Sequence, residues 1–514
     1  MARWRQNNLL KAAILLFIPG VLKCLEKPLA LKNASINSLV SSSKPAQRTA
    51  NRQGEISLLD QYVREAKDIV LSSIQHESQD TQQEEEAGTA YCDPYDLFVD
   101  LASPYPKRLS ILKSFCAFKK GEAYKSLQVG LSNAFGLLYT KQNTFGLEKS
   151  DPNRDVDVLS ILGSLVVRYC CLFMSFASIG LFHHSHREGY NGRDVKVTYI
   201  LLCCTAALEV HSISFRPRLD RGWPGMVPQY SLVGFFVRNK KHAKKMSIVS
   251  FFGCKQYLDQ HWCIKSCSSS QRITVLVLRY LKAGWRDYVQ DAASYWMFND
   301  HRGQWTLERN KCNYLAWSLN CPFDESVLLW HVATDLCFYS GKFAGHRCDF
   351  SVQCRQMSNY MMYLLFVNPE MLLPGSRRNL FTTAYGELKG ILEDKKPAAT
   401  MEDSAGTRQG NKPPVEEGFL HDAWSLAQGL LDLGNEKKMW EVIEGVWVEM
   451  LCFSAGRCRG YLHAKSLGTG GELLTYIWLP LSHMGMETLA ERLQRTELPS
   501  SGGNTRAAAG EGIV

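Results

Sequence analysis

The feature that most restricts how this chain can fold is an apolar run from Val158 to Phe182, VLSILGSLVVRYCCLFMSFASIGLF. Its 25 residues carry one charge, Arg168, and a helix of that length can cross a hydrocarbon core of about 30 Å. A central arginine costs roughly 2.5 to 3.5 kcal/mol on the insertion scale, whereas each Leu, Ile, Val or Phe favours insertion by about 0.3 to 0.6 kcal/mol. The run therefore predicts a membrane span in which Arg168 faces other helices.

Two further apolar segments extend this interpretation. The run from Val197 to Phe215 carries Glu209 and is marginal alone, but it suits the second arm of a hairpin with the first run. Residues 9–22 form a third apolar stretch without a small-residue cleavage site, which favours a short membrane segment over a cleaved signal. The alternative for the two longer runs is a pair of buried helices in a soluble domain, where runs with so few charges are uncommon.

The cysteines and the basic residues indicate a compartment. There are 17 cysteines, including the neighbours Cys170–Cys171 and Cys203–Cys204, and no CxxC pair occurs. Adjacent thiols in apolar helices are usually small buried side chains, so we expect reduced thiols and a largely cytosolic chain. An excess of Arg and Lys after Phe215 also predicts that the bulk of the C-terminal half is cytosolic.

Periodicity and composition divide the chain into segments. We predict a membrane-associated region over residues 1–340, with spans near 9–22, 158–182 and 197–215 and a disordered acidic loop at 76–88. A helical connector at 341–392, a flexible linker at 393–418, a C-terminal helical module at 419–498 and a disordered tail at 499–514 are predicted to follow. Strand signals are few, so the predicted fold class is mostly α: membrane helices plus a cytosolic α-helical module.

The densest group of chemically active side chains lies in FDESVLLWHVATDL, residues 323–336. On a helix Asp324, His331 and Asp335 share one face, so His331 and Asp335 are candidates for a metal pair or an acid–base dyad. A structural interpretation is favoured over that site. In it Asp324 caps the helix after Pro322, and His331 and Asp335 form a stabilising pair one turn apart.

A basic stretch between aromatic blocks, YSLVGFFVRNKKHAKKMSIVSFFG, is the candidate membrane-surface patch. Its cations are Arg238, Lys240, Lys241, Lys244 and Lys245. Cations beside phenylalanines suit anionic lipid headgroups, at about 1 kcal/mol for each well-placed charge. No nucleic-acid motif accompanies the patch, so the expected partners are the lipid bilayer and unidentified proteins, and no nucleic acid.

The glycine-rich stretch HAKSLGTGGELLTYIW, from His463 to Trp478, resembles a nucleotide loop at first sight. A phosphate-binding loop has its glycines before the Lys-Ser/Thr pair, and here Lys465 and Ser466 come first. We interpret the stretch as a tight connection between two helices, with His463 and Glu472 as candidates for holding them together. No motif in the chain indicates a cofactor.

The segments FDESVLLWHVATDL, SNYMMYLLFVNPEML, MWEVIEGVWVEMLCFSAGRC and HAKSLGTGGELLTYIW resemble a large plant family in which domain of unknown function 4220 precedes a C-terminal domain of unknown function 594. Upstream, AAILLFIPGVLKCLEKPLALKNAS looks like the end of that family's N-terminal membrane block. The resemblance implies a multi-pass membrane protein without an assigned activity, here an N-terminally truncated member. It carries over no catalytic residue.

Three functional hypotheses follow. The leading one is a non-enzymatic interaction or scaffold protein in a membrane, with a cytosolic helical module. The second is a transporter or channel component that uses Arg168 and Glu209 inside the bilayer. The third is a membrane-bound enzyme that uses His331, Asp335, His463 or Glu472.

Overall fold

The computed structural model describes residues 10–21, 24, 52–78, 98, 100–118, 121–139, 158–185, 191–214, 225–242, 246, 251, 258–260, 264–340, 349–394, 418–468, 473–493 and 495. These residues are mostly helical, which confirms the predicted α class. In the N-terminal half the helices are α1 (residues 10–21), α2 (Arg52–Ser78), α3 (Tyr105–Cys116), α4 (Glu122–Tyr139), α5 (Val158–His183), α6 (Gly192–Ser214) and α7 (Leu232–Lys241).

The C-terminal half adds a second set of helices. They are α8 (Ser270–Asp287), α9 (Ala292–Asp300), α10 (Gln304–Arg309), a 3-10 helix (Asn313–Leu319), α11 (Phe323–Tyr339), α12 (Asp349–Val367), α13 (Pro369–Leu372), α14 (Asn379–Asp394), α15 (Phe419–Leu431), α16 (Glu436–Arg457), α17 (Gly460–Leu467), α18 (Leu473–His483) and α19 (Leu489–Arg492). Local signals set several starts: Asp291 accepts a hydrogen bond from the Ser294 amide ahead of α9, and Asn435 accepts one from the Lys438 amide ahead of α16.

A short antiparallel sheet is formed by β1 (Val227–Gln229) and β2 (Lys265–Cys267). Val227 pairs with Cys267, and Gln229 pairs with Lys265. β1 lies against α12, and the Tyr230 amide donates to the Asn359 carbonyl at 3.1 Å. The sheet therefore fixes the start of α7 relative to the helical core.

The centre of the core is helix α16, which contacts α10, α12 and α18. Trp440, Ile443 and Trp447, which are three and four residues apart, form an apolar stripe along this helix and are buried. Val442 and Val448, outside that stripe, are buried as well. A helix that is buried around most of its circumference lies inside a core rather than on a surface.

The core is continuous across the sequence ranges predicted to be separate units. It joins side chains of α2, α3 and α8 with side chains of α16 and α18, and the pair α8–α18 is in direct contact. The domain boundaries given in the sequence analysis remain a prediction. In the structure, helices α16 and α18 and helices α2, α3 and α8 bury their apolar side chains in one common core.

Helices α5 and α6 pack on each other as a hairpin, and Phe182 meets Tyr199 edge to face at 5.1 Å between ring centroids. None of the hairpin's described residues belongs to the main core cluster. In the part of the chain that the structure describes, no helix combines the length and the apolar character that crossing a membrane requires. The predicted spans near 9–22, 158–182 and 197–215 are therefore not supported there; α6, for example, carries Arg193, Asp194 and Lys196 in its first turns.

The predicted loops lie largely outside the described residues. Of the acidic stretch 76–88, residues 76–78 are the last turn of α2, so the disordered loop was predicted to start too early. Residues 393 and 394 likewise end α14 and do not belong to a flexible linker. The remainder of the predicted linker up to residue 417, and the whole of the predicted tail 499–514, lie outside the described residues.

Candidate functional site

The structure buries His331 and Asp335 together on α11. His331 Nε2 lies 3.8 Å from Asp335 Oδ2, and their side chains are 0% and 4% exposed. The Leu232 amide points at His331 Nε2 from 3.4 Å, and His331 Nδ1 lies 2.8 Å from Ser358 Oγ. Because Nε2 accepts the hydrogen bond from the Leu232 amide, the proton of the neutral ring is on Nδ1, and Nδ1 donates to Ser358 Oγ. The ring therefore joins α11 to α12 and to the start of α7.

The charge on Asp335 is balanced from α12. Arg355 Nε donates to Asp335 Oδ1 at 2.8 Å, and its terminal nitrogen donates to the Tyr339 hydroxyl at 2.6 Å. Burial lowers the pKa of His331, so the ring is neutral at physiological pH. A general base must reach a substrate, whereas both nitrogens of this ring contact neighbouring groups inside the core. The arrangement suits a hydrogen-bonded junction between helices.

Asp324 does not cap α11, and that prediction was wrong. The N-cap is Pro322, without a side-chain cap. Asp324 instead accepts three hydrogen bonds at 2.9 Å from Arg377: from its backbone amide, from Nε and from a terminal nitrogen. This two-pronged geometry is how arginine binds carboxylates. It fixes the turn before α14 to the start of α11.

His463 lies inside α17 and not in a simple turn between α16 and α18. Its ring stacks on Trp478, with 4.2 Å between centroids and 8° between planes, and Nδ1 lies 3.1 Å from Thr475 Oγ1. Burial lowers its pKa to about 3. His463 thus holds α17 against α18, and the stretch predicted as a tight connection contains the helix α17. Glu472 lies outside the described residues.

The basic stretch does not present all its cations on one surface. Arg238 is buried and donates to Asp259 Oδ1 at 2.6 Å, with its guanidinium 4.7 Å from the Phe235 ring centre. Lys240 and Lys241 are exposed at the end of α7. Lys244 and Lys245 lie outside the described residues. Arg238 therefore belongs to the interior and not to a membrane-surface patch.

The two charged residues predicted inside the apolar runs lie on the hairpin. Glu209 is 5% exposed on α6. The backbone of Arg168 is part of α5, and its side chain is outside the description.

Sequence reasoning missed a junction at the end of α18, where the backbone of residues 484–486 is a target for buried donors. The Gly485 carbonyl accepts from the Tyr62 hydroxyl at 2.7 Å, from Arg108 at 3.0 Å and from the Tyr295 hydroxyl at 2.9 Å. Trp285 Nε1 donates to the Met484 carbonyl at 2.8 Å. Donors from α2, α3, α8 and α9 thus converge on one C-terminal loop. The one sequence signal was the glycine between two methionines.

A buried carboxylate, Glu449, was also missed. It accepts from the Gly303 amide at 2.6 Å, the Thr306 amide at 2.7 Å and the Thr306 hydroxyl at 2.6 Å. It thereby supplies the acceptor for the first turn of α10 from the neighbouring helix α16. Burial raises its pKa to about 7. Gly445 permits this approach, because a Cβ there would lie 2.6 Å from the Thr306 side chain.

A third missed cluster gathers three arginines around two carboxylates. Asp300 accepts hydrogen bonds from Arg457 at 2.6 Å and from Arg495 at 2.8 Å, and Arg492 pairs with it as well. Glu487 pairs with Arg495 at 2.6 Å. Burial and the neighbouring Arg492 lower the pKa of Arg457 to about 9. The cluster fixes the last described residues to the end of α9.

The described residues contain no group of three or more His, Cys, Asp or Glu side chains that could hold a metal ion. The polar clusters have one property in common: each joins one helix to another helix or to a loop. Geometry therefore defines a helical protein whose buried polar groups fix helices to one another.

Comparison with known families agrees with the resemblance seen in the sequence. The model of the domain of unknown function DUF4220 matches residues 1–307, and the model of the protein of unknown function DUF594 matches residues 432–486. Since the first match covers more than half of the chain, the protein belongs to the DUF4220 family and carries a DUF594 segment near its C-terminal end. No curated protein and no solved structure matches the chain.

Proposed function

We propose that the chain is a membrane-associated, non-enzymatic interaction protein whose α5–α6 hairpin contacts lipid. The observation that carries the proposal is the exposure of the hairpin's apolar side chains. Phe173 is 75% exposed, Leu208 is 64% exposed, and Ile200 and Leu201 are each 61% exposed. Contiguous exposed apolar patches on a protein mark an interaction site or a membrane contact.

Three observations favour lipid as the partner of this surface. The exposed residues lie on both helices and include the ring of Phe173, so a partner has to cover more than one narrow stripe. Helix α1 exposes apolar side chains in the same way, with Phe17 at 70% and Leu10 at 59%. Lysines at the end of α7, Lys240 and Lys241, add positive charge that would favour anionic headgroups.

The helical body would lie on the cytosolic side and bind other proteins. Buried Cys312 and Cys337 are thiols, which suits a reducing compartment. The buried histidines and carboxylates described above make contacts within the core, which supports a binding role over catalysis for the body.

The test is alkaline carbonate extraction of membranes from cells that express the tagged full-length chain. We expect the chain in the membrane pellet and the double variant Phe173→Asp/Leu201→Asp in the supernatant. Met297→Asp is the matched control, because Met297 is 55% exposed on α9 of the body. Release of the unaltered chain, or retention of the double hairpin variant, would refute the proposal. Protection of a C-terminal tag from protease in sealed vesicles would refute the cytosolic placement.

A further inference from the structure

The exposed cysteines lie on or next to the same helices as the exposed apolar side chains. The exposed cysteines among the described residues are Cys24, Cys170, Cys203 and Cys204. Three of them lie on the hairpin, and Cys24 follows the exposed helix α1. The described cysteines of the helical body are buried or half-buried.

Cys204 lies within an apolar strip along α6. Ile200, Cys204 and Leu208 are four residues apart, so they follow one another on one side of the helix. All three are exposed. The face that α6 buries is a different one, marked by Leu202 and Ala206 at 5% and 4% exposure. The Cys204 thiol therefore points away from the buried face.

Cys203 extends this surface on the neighbouring side of the helix. It is exposed, and Val210, two turns further on, is 41% exposed. The two adjacent thiols are thus bordered by apolar side chains before and after them in the helix. A long hydrocarbon chain attached here would lie along apolar surface from its first carbon.

We propose that Cys203 and Cys204 are S-acylation sites that carry a long-chain fatty acyl group as a thioester. The inference rests on the proposed lipid contact of the hairpin, and it identifies the covalent group that strengthens that contact. Cysteines next to a membrane or on amphipathic helices are acceptors for reversible S-acylation. One acyl chain alone gives marginal membrane binding, and a second apolar element makes it stable. The hairpin surface supplies that second element.

The donor is a long-chain acyl-coenzyme A. The cysteine Sγ forms a bond to the acyl carbon, and the bond between that carbon and the coenzyme A sulfur breaks. The proton lost by the cysteine thiol ends on the coenzyme A thiol. One thioester replaces another, so nothing is oxidised or reduced and the modification is reversible by hydrolysis.

The test is hydroxylamine-dependent acyl exchange on the full-length chain purified from eukaryotic cells. We expect a hydroxylamine-sensitive label that is lost in Cys203→Ser/Cys204→Ser. The variant Cys171→Ser is the matched control, because Cys171 is 7% exposed on the same hairpin and should leave the label unchanged. Peptide mass spectrometry would place the acyl group on residues 203 and 204.

Several results would overturn the assignment. They are the absence of label in the unaltered chain, an undiminished label in the double serine variant, and a label confined to Cys24 or Cys170. Carbonate extraction of the same samples separates this inference from the proposed function. An unlabelled chain in the membrane pellet refutes acylation alone, whereas an unlabelled chain in the supernatant refutes both.

Discussion

Replacing Gly485 by alanine tests the junction between the C-terminal loop and the N-terminal helices. Gly485 has a φ of +74°, and a Cβ built on it would lie 2.5 Å from the Tyr62 hydroxyl oxygen. That hydroxyl donates to the Gly485 carbonyl at 2.7 Å. Burial raises the pKa of Tyr62 to about 12, so the hydroxyl keeps its proton and remains a donor. The substitution therefore strains the backbone and displaces a buried hydrogen bond together.

Each of the two effects, backbone strain and loss of the hydrogen bond, has a characteristic cost. A left-handed conformation costs a residue with a Cβ roughly 1 to 2 kcal/mol. A buried polar group without its partner costs about 1 to 3 kcal/mol. We expect Gly485→Ala to lower the free energy of unfolding by roughly 2 to 5 kcal/mol. Gly434 is the matched control, because its φ is +68° and a Cβ there would meet nothing within 4 Å.

The assay is equilibrium urea unfolding of the full chain, followed by circular dichroism and by tryptophan fluorescence. Gly434→Ala should show the backbone strain alone. In a Tyr62→Phe background the hydroxyl is absent, so Gly485→Ala should cost no more than Gly434→Ala. Equal costs for Gly485→Ala and Gly434→Ala in the unaltered background would refute the close contact. The close contact would also be refuted if Gly485→Ala cost the same in the Tyr62→Phe background as in the unaltered chain.

Two further predictions concern buried titratable groups and are measured as differences between the unaltered chain and a variant across pH. In the folded chain the pKa of Glu449 is raised to about 7 from 4.5. The protonated side chain therefore adds to the free energy of unfolding fully below pH 4.5, and this contribution falls as the pH rises to 7. The stability of the unaltered chain relative to Glu449→Gln should therefore drop by roughly 3 kcal/mol over that range, and a pH-independent difference would contradict a buried, costly carboxylate. The folded pKa of His463 is lowered to about 3 from 6.5, so folding loses stability as the pH falls below 6.5, because only the unfolded chain takes up the proton. Relative to His463→Phe, the free energy of unfolding of the unaltered chain should fall by about 2 kcal/mol between pH 6.5 and 5. A difference between the two chains that does not change with pH would show that the ring is accessible to solvent.

Local patterns predicted the secondary structure well where the period is clear. The two long apolar runs, predicted at 158–182 and 197–215, form the helices α5 and α6 of the hairpin. The His331–Asp335 pair was predicted on one helical face and lies there. These predictions succeed because a helix places residues three and four apart on one side, whatever surrounds it.

Partners from distant segments could not be predicted. Asp324 resembled a helix cap, but Arg377 binds it from 53 residues away. Arg238 resembled a surface cation, yet Asp259 pairs with it inside the structure. A side chain's local pattern fixes its face on a helix, and it does not fix which other helix covers that face.

The sequence by itself determined the helical class, the apolar hairpin and the family. It did so because helix periodicity, long apolar runs and family motifs are local properties of the chain. Tertiary structure alone decided that the DUF4220 and DUF594 segments form one core, through Tyr62, Arg108 and Tyr295 on the carbonyl of Gly485. It also decided that Glu449, charged in the sequence, is an interior residue. The physical reason is that burial and hydrogen-bond pairing depend on which segments meet, and those segments are separated here by more than 140 residues.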